Sequence, residues 1–357
     1  MSYPHRITLL GTGTIGLSMA ALHLRRPDTS VTLYDPRPDL ESQVHELLPA
    51  FLSSSYPKQE HRHGDKDIIQ TLLSTSRLRL SASLEDACRG ATVIQEQTPE
   101  VLSSKQALWT QVQGFADPTA HLWSSSSGIA ASAQCATCSV DGNDVKSRLL
   151  VAHPFNPPHL MPLVEIVPGP ETKPDRVEFV TRYFDTTPGP LPLPSSSSSS
   201  SSEVQSQSQK KEGYYRPIIL HKEISGFVGN RLAFALLREA CHLVGEGVVS
   251  ARDLDAIVTA SLGPRWAGSG VFESYHAGGG EGGIGAFLQK LMPTMQPVWR
   301  DLGQTEISAE GGEKWRDMVV QQTEEAYGPY TAETRKSKEE MLREVVAMQQ
   351  RRWSDLQ

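Results

Sequence analysis

The chain has 357 residues, more than one compact core usually takes and suited to two domains. Its 38% hydrophobic and 21% charged residues are the mix of a globular chain and exclude wholesale disorder. A formal charge of -7 excludes a general nucleic-acid binder, whose phosphate contacts demand a basic surface.

No apolar run reaches the ~18–20 residues that cross a bilayer, and Met1 to Arg6 lack the basic-then-apolar build of a signal peptide. No membrane partner is expected, and the expected location is the cytoplasm. The cysteines, Cys88, Cys135, Cys138 and Cys241, are too few and scattered for a disulfide framework. Cys135 and Cys138 form a C-x-x-C pair, but no second pair or spaced histidines complete a metal set, so ordinary thiols and no bound metal are expected.

From the N-terminus, Arg6-Ile-Thr-Leu-Leu10 reads as a strand cut off by Gly11-Thr-Gly-Thr-Ile-Gly16, and Leu17 to Leu24 reads as helix. Ser30 to Tyr34 makes a second strand ending at Asp35, Ala91 to Gln95 a later one ending at Glu96, and Leu149 to Ala152 another. Near-continuous apolar strands separated by helix-length segments predict a parallel sheet covered on both faces, a doubly wound α/β domain of Rossmann type over residues 1–190.

Leu191-Pro-Leu-Pro194 leads into an unbroken serine run, Ser195 to Ser202, and a polar stretch to Lys211. Residues 191–213 have almost nothing to bury and predict a linker or surface loop. Beyond it, Phe227, Leu232, Leu236 and Ala240 recur at helical spacing, and Ser250-Ala-Arg-Asp253 has the form of a capping box. Residues 278–283, five glycines and Glu281, predict a loop between helices, and Ala332 to Trp353 one amphipathic helix. An all-helical domain is expected over 214–357.

Three glycines at G-x-G-x-x-G spacing are a weak signal alone, but here they leave a strand and open a helix. Gly11 permits the tight turn, Gly13 lets the backbone approach a pyrophosphate, and Gly16 allows close packing of helix on sheet. The free N–H groups at the helix start, around Thr14 and Ile15, suit phosphate. Asp35, at the end of the second strand, can accept both ribose hydroxyls and would repel a 2′-phosphate, which favours NAD over NADP. Arg37 could soften that preference by swinging toward the ribose.

Oxidising an alcohol with NAD needs a base, and histidine titrates near neutrality. Of 11 histidines, His153 stands out because it directly follows the strand Leu149 to Ala152, where doubly wound sheets place ligands. Asn156 and Glu165 lie in the apolar, proline-stiffened run that follows. A carboxylate against the imidazole would fix its tautomer. Spacing alone leaves open a surface histidine and an unrelated acid.

Five segments, in this order, resemble the successive motifs of the 3-hydroxyacyl-CoA dehydrogenase superfamily: Gly11 to Gly16 with Asp35, Ile94 to Glu100, Trp123 to Gly128, His153 to Pro158 with Leu163-Val-Glu165, and Ser225 to Arg231. The resemblance covers most of residues 5–265. The wording around His153-Pro154 and Pro162 to Pro168 is most similar to the lambda-crystallin branch, whose active members are L-gulonate 3-dehydrogenases. The resemblance implies that His153 is the catalytic base and Glu165 its orienting partner. It implies further that Ser127 and Asn156 bind the reacting oxygen and the nicotinamide side, that Asn230 closes the site, and that Glu100 and Lys105 join Asp35 on the cofactor. Gly128 stands where relatives carry a second small polar residue or cysteine. A homodimer is implied as well.

The expected activity is therefore NAD-dependent oxidation of the 3-hydroxyl of a small hydroxy acid. For a free acid such as L-gulonate, Arg265 is the candidate carboxylate partner. An acyl-CoA is a second candidate substrate. L-carnitine is a third, its quaternary ammonium held by rings such as Trp266, Phe272 or Tyr275. A catalytically idle, crystallin-like NAD-binding protein is the reading from another class.

Overall fold

The computed structural model describes residues 3–53, 66–139, 144–189, 214–307 and 313–355. The chain divides into two compact units, Met1–Val228 and Gly229–Gln357.

In the first unit the elements run β1 (His5–Leu10), α1 (Thr14–Leu24), β2 (Thr29–Tyr34), α2 (Leu40–Ser53), α3 (Lys66–Ser74), β3 (Leu78–Leu80), α4 (Leu84–Cys88) and β4 (Val93–Glu96). There follow α5 (Leu102–Phe115), β5 (His121–Ser124), α6 (Ala131–Gln134), β6 (Leu149–Pro154), β7 (Leu163–Pro168), α7 (Pro174–Asp185) and β8 (Arg216–Ile219). They form one eight-stranded sheet in the order β3-β2-β1-β4-β5-β6-β7-β8. The order reverses between β1 and β4, where a doubly wound sheet opens its ligand crevice.

The doubly wound α/β expectation holds, with one correction to the all-parallel sheet. β6 and β7 pair antiparallel, whereas β7 and β8 pair parallel. The segment between β6 and β7 is too short for a parallel crossover, which takes a dozen residues or more, so the chain turns back on itself.

Burial explains the near-continuous apolar strands. Ile94, Leu122, Leu149 and Val151 are fully buried, and Trp109 of α5 packs into the same core. α1 is buried from Gly16 to Leu24, so it shows no amphipathic pattern.

The expected domain boundary shifts. Residues 190–213, including the serine run, lie outside the described residues. The chain beyond them still belongs to the first unit, because β8 adds a strand beside β7 and Tyr214 and Tyr215 are buried. The all-helical part begins only at α8 (Gly229–Gly245).

The second unit continues with α9 (Ala251–Ile257), a π-helical turn, α10 (Gly263–Gly268), α11 (Val271–Gly278), α12 (Gly283–Asp301), α13 (Lys314–Tyr327) and α14 (Ala332–Asp355). Ser250 caps α9 as its spacing predicts, accepting from the Asp253 N–H at 3.1 Å and donating to its carboxylate at 2.7 Å. Of the glycine-rich residues 278–283, expected as a loop, Gly278 ends α11, Gly280–Gly282 form a short 3-10 turn and Gly283 begins α12.

Candidate active site

The groove at the carboxyl ends of β1, β2 and β4 is built by the glycine turn. Gly11 has φ +99°, and a Cβ there would meet the Gln97 carbonyl oxygen at 2.9 Å. A Cβ on Gly16 would lie 2.1 Å from the Gly11 carbonyl oxygen, so α1 packs this closely on β1 only with glycine. At Gly13 a Cβ would meet nothing within 4 Å: the residue faces open space, as approach by a pyrophosphate requires. Gly13 precedes α1 with no side chain capping the helix, leaving the N–H groups of Thr14 and Ile15 at an end suited to an anion. A cavity of about 690 Å³ runs from Gly11 and Gly13 past Asp35 and Arg37 to Ser104 and Gln111. These residues fit the dinucleotide that the fingerprint predicts.

Asp35, at the end of β2, lines this cavity. Its carboxylate accepts from the Thr12 N–H at 2.9 Å and from both Arg37 Nε at 2.8 Å and a terminal Arg37 nitrogen at 3.0 Å. Burial pushes the Asp35 carboxyl up, but the Arg37 and Thr12 hydrogen bonds outweigh it and hold it at about 2. Arg37 is thus already swung onto Asp35.

Lys105 differs from its expected place on the cofactor. It is 1% exposed, and its ammonium donates to Glu96 Oε1 at 2.6 Å and the Thr98 carbonyl at 3.1 Å, with Glu100 Oε2 at 3.3 Å. Those three partners use its three donors, so Lys105 ties the end of β4 to α5 instead of facing the groove. Glu100 turns its other oxygen to the loop after β5. Glu100 Oε1 accepts from the Ser126 hydroxyl at 2.5 Å and from the N–H groups of Ser127 and Gly128 at 2.9 and 3.1 Å. Burial raises the Glu100 carboxyl, but hydrogen bonding from Ser126 and the Lys105 charge carry it below its usual range. Sequence spacing gave no sign of the Glu96–Lys105 pair, since Glu96 read as the end of a strand and Lys105, from the resemblance, as a cofactor contact.

The β6–β7 hairpin brings His153 and Glu165 together. His153 lies inside β6, not after it, and its register partner in β7 is Glu165. Directly opposed residues in an antiparallel pair share a face, and here His153 Nδ1 lies 2.8 Å from Glu165 Oε2. A carboxylate can only accept, so Nδ1 is the donor in this contact and Nε2 keeps its lone pair in the neutral ring. Both groups are buried, at 5% and 2% exposed. The second carboxylate oxygen accepts from the Val228 N–H at 3.0 Å. Two rings pack on the imidazole, Phe155 at 5.0 Å and Phe227 at 5.6 Å between centroids, and Phe227, expected at helical spacing, lies in the turn before α8.

Ser127 is exposed on its loop, its hydroxyl 3.3 Å from Glu100 Oε1, and Asn156 is exposed just after β6. Asn230 is the second residue of α8 in the second unit, and Arg265 lies exposed on α10. Cys135 and Cys138 are buried free thiols, and burial pushes Cys135 up to about 11. Among the described residues no cluster of His, Cys, Asp and Glu is placed to hold a metal, and no helix is long and apolar enough to cross a membrane.

Comparison with known proteins gives the family. Residues 6–193 match the 3-hydroxyacyl-CoA dehydrogenase NAD binding domain, and residues 226–317 match the C-terminal domain of the same family. The chain is 32% identical to an L-carnitine dehydrogenase of Streptomyces coelicolor over 85% of its own length and 83% of the relative's. It is 33% identical to a 3-hydroxyacyl-CoA dehydrogenase of Gibberella moniliformis, over 83% of this chain and 79% of the other. Among solved structures, an NAD+-dependent 5-formyl-3-hydroxy-2-methylpyridine 4-carboxylic acid 5-dehydrogenase shares the fold with a TM-score of 0.70, 24% identity and 98% coverage of both chains. The chain belongs to the 3-hydroxyacyl-CoA dehydrogenase family and is an NAD-dependent oxidoreductase.

Proposed function

We propose that this chain oxidises the 3-hydroxyl of a compact 3-hydroxy acid, with His153 as base and Glu165 as its orienting partner. The observation that carries this reading is the 2.8 Å contact of His153 Nδ1 with Glu165 Oε2 across the β6–β7 register. NAD supplies the acceptor for the hydride leaving the carbinol carbon. His153 Nε2 takes the hydroxyl proton as the carbonyl forms, and Glu165 stabilises the imidazolium that results. Ser127 and Asn156 orient the reacting oxygen and the nicotinamide side by hydrogen bonding. A role for Asn230 rests on its motif alone.

For the substrate, the relatives named L-carnitine dehydrogenases favour L-carnitine over the L-gulonate that the wording around His153 suggests. Supporting this choice, Trp266 of α10 and Phe272 and Tyr275 of α11 are exposed aromatic rings suited to a quaternary ammonium. Exposed Arg265 offers a cation for a carboxylate. A 3-hydroxyacyl-CoA is the second reading, favoured by the Gibberella moniliformis relative.

The test is NADH formation from L-carnitine, L-gulonate, 3-hydroxybutyrate and 3-hydroxybutyryl-CoA, repeated with NADP. Turnover of L-carnitine that falls by about 10²- to 10⁴-fold in His153→Gln, with NAD binding retained, is the expected result. Full turnover in that variant would remove His153 as base. An intact wild-type chain that binds NAD but turns over nothing in a wide hydroxy-acid screen would favour the idle, crystallin-like reading.

We infer further that a second copy of the chain covers part of the helical unit. The support is α8, where Leu232, Phe234 and Leu237, spread around the helix, are 62%, 60% and 54% exposed, more apolar surface than a helix left facing solvent usually carries.

A further inference from the structure

The chain between β8 and α8 makes a sharp turn that touches the reacting centre at several points. Gly226 and Phe227 both adopt left-handed backbone, with φ of +72° and +51°. Glycine takes that conformation freely, but a bulky aromatic residue does so only where the surroundings hold it. The surroundings here are specific. The Phe227 N–H donates to the Ile224 carbonyl at 3.1 Å, closing the turn. Upstream, Glu223 anchors the segment to the first turn of α6, accepting from the Ser132 N–H at 3.0 Å and its hydroxyl at 2.6 Å.

What the strained residue achieves is visible in its contacts. The Phe227 ring is fully buried and lies against the His153 imidazole, 5.6 Å between centroids at 52°. The next residue, Val228, delivers its N–H to Glu165 Oε1 at 3.0 Å. The same turn abuts the loop that carries Ser127, since a Cβ added to Gly128 would sit 3.7 Å from the Gly226 nitrogen. One three-residue turn therefore reaches both members of the pair and the loop of the candidate substrate serine.

We propose that Phe227 is a positioning residue for the His153–Glu165 pair: its left-handed backbone presses the ring onto the imidazole while aiming the Val228 N–H at the carboxylate. The ring and Phe155 both pack on the imidazole, so its plane is set by packing as well as by the Nδ1 hydrogen bond. With both carboxylate oxygens engaged, Glu165 cannot rotate away from Nδ1 without losing the Val228 contact. This inference rests on the assignment of the pair under the proposed function. A phenylalanine that merely fills the core would not need the disfavoured backbone.

The test uses the full chain with NAD bound. The far-downfield proton resonance of His153 Nδ1–H is identified by its absence in His153→Gln. Phe227→Asn suits left-handed backbone and keeps the Val228 N–H while removing the ring. In that variant the resonance is expected to broaden or vanish as water reaches the pair. The kcat is expected to fall by about 10- to 100-fold while the KM for NAD holds. A sharp wild-type resonance with unchanged kcat in Phe227→Asn overturns the proposal. If Phe227→Asn does not bind NAD, Phe227→Leu decides: a partial loss of resonance and kcat supports the ring's role, and no change in either overturns it. The resonance is read without substrate, so failure of the substrate choice does not affect this arm. Full turnover in His153→Gln would instead reject the base assignment.

Discussion

Asp35 and Arg37 meet at the end of β2, where the glycine fingerprint predicts the ribose, and the guanidinium occupies the carboxylate. Asp35 is ionised at any working pH because the hydrogen bonds from Arg37 and Thr12 hold it at about 2, against the upward push of burial. Its oxygens are nonetheless shared with Arg37, which grips them at 2.8 and 3.0 Å. Ribose hydroxyls must compete with that guanidinium, and its charge softens the repulsion of a 2′-phosphate. Arg37→Ala should therefore sharpen the preference for NAD by weakening NADP, whereas Asp35→Asn should raise the KM for NAD by about tenfold or more. Initial rates with both cofactors check this; a ratio of NAD to NADP use unmoved by Arg37→Ala would show that the guanidinium plays no part in the choice. The carboxylate was legible from its place at the end of a strand. That Arg37 rests on it was not, because an exposed side chain two residues away has many rotamers.

At the level of elements, the β6–β7 hairpin determines whether His153 and Glu165 meet. A strand slipped by one residue would turn Glu165 to the opposite face from His153, so the pair depends on register and not on either residue alone. The sequence marked both residues within one proline-rich run, but the run does not say whether the chain returns beside itself. α8 shows the opposite case: its apolar spacing was readable, but what covers it is not written in the helix. Phe234→Glu combined with Leu237→Glu places charge on that surface. Light scattering is expected to show a dimer for the wild-type chain and a monomer for the variant. A monomeric wild-type chain, or a dimer that survives both charges, sinks the inference of a second copy on α8.

For the whole molecule, buried histidines make stability depend on pH. His23 is fully buried beside Tyr183 and Gln95, and desolvation lowers it to about 4; His121 is lowered to about 4 by burial and then by the Arg176 charge. Both are neutral in the folded chain and take up a proton near 6.5 once unfolded. Between about pH 6.5 and 4 the unfolded state binds more protons, so stability falls as pH falls through that window. The shift at His23 corresponds to roughly 3 kcal/mol over the whole window. Urea unfolding of wild-type chain and His23→Gln should show a lower stability for the variant at neutral pH and a shallower loss toward acid. Parallel curves would mean that His23 does not carry the dependence.

The sequence by itself determined the parts whose requirements are local. A tight turn, a close helix and an open approach each need glycine at a particular step, and Gly11, Gly13 and Gly16 state that need within six positions. The capping serine Ser250 is legible for the same reason, since it acts on backbone three residues away, and Asp35 is legible from its place at the end of a strand, although the Thr12 N–H it accepts from lies 23 positions back. The tertiary structure alone decided what depends on distant segments meeting. It opposed His153 to Glu165, buried Lys105 against Glu96, laid Phe227 on the imidazole and carried the first unit on to Val228 through β8. Register, burial and the partner of a charge are properties of packing between stretches far apart in the chain, and no local pattern of residue types encodes them.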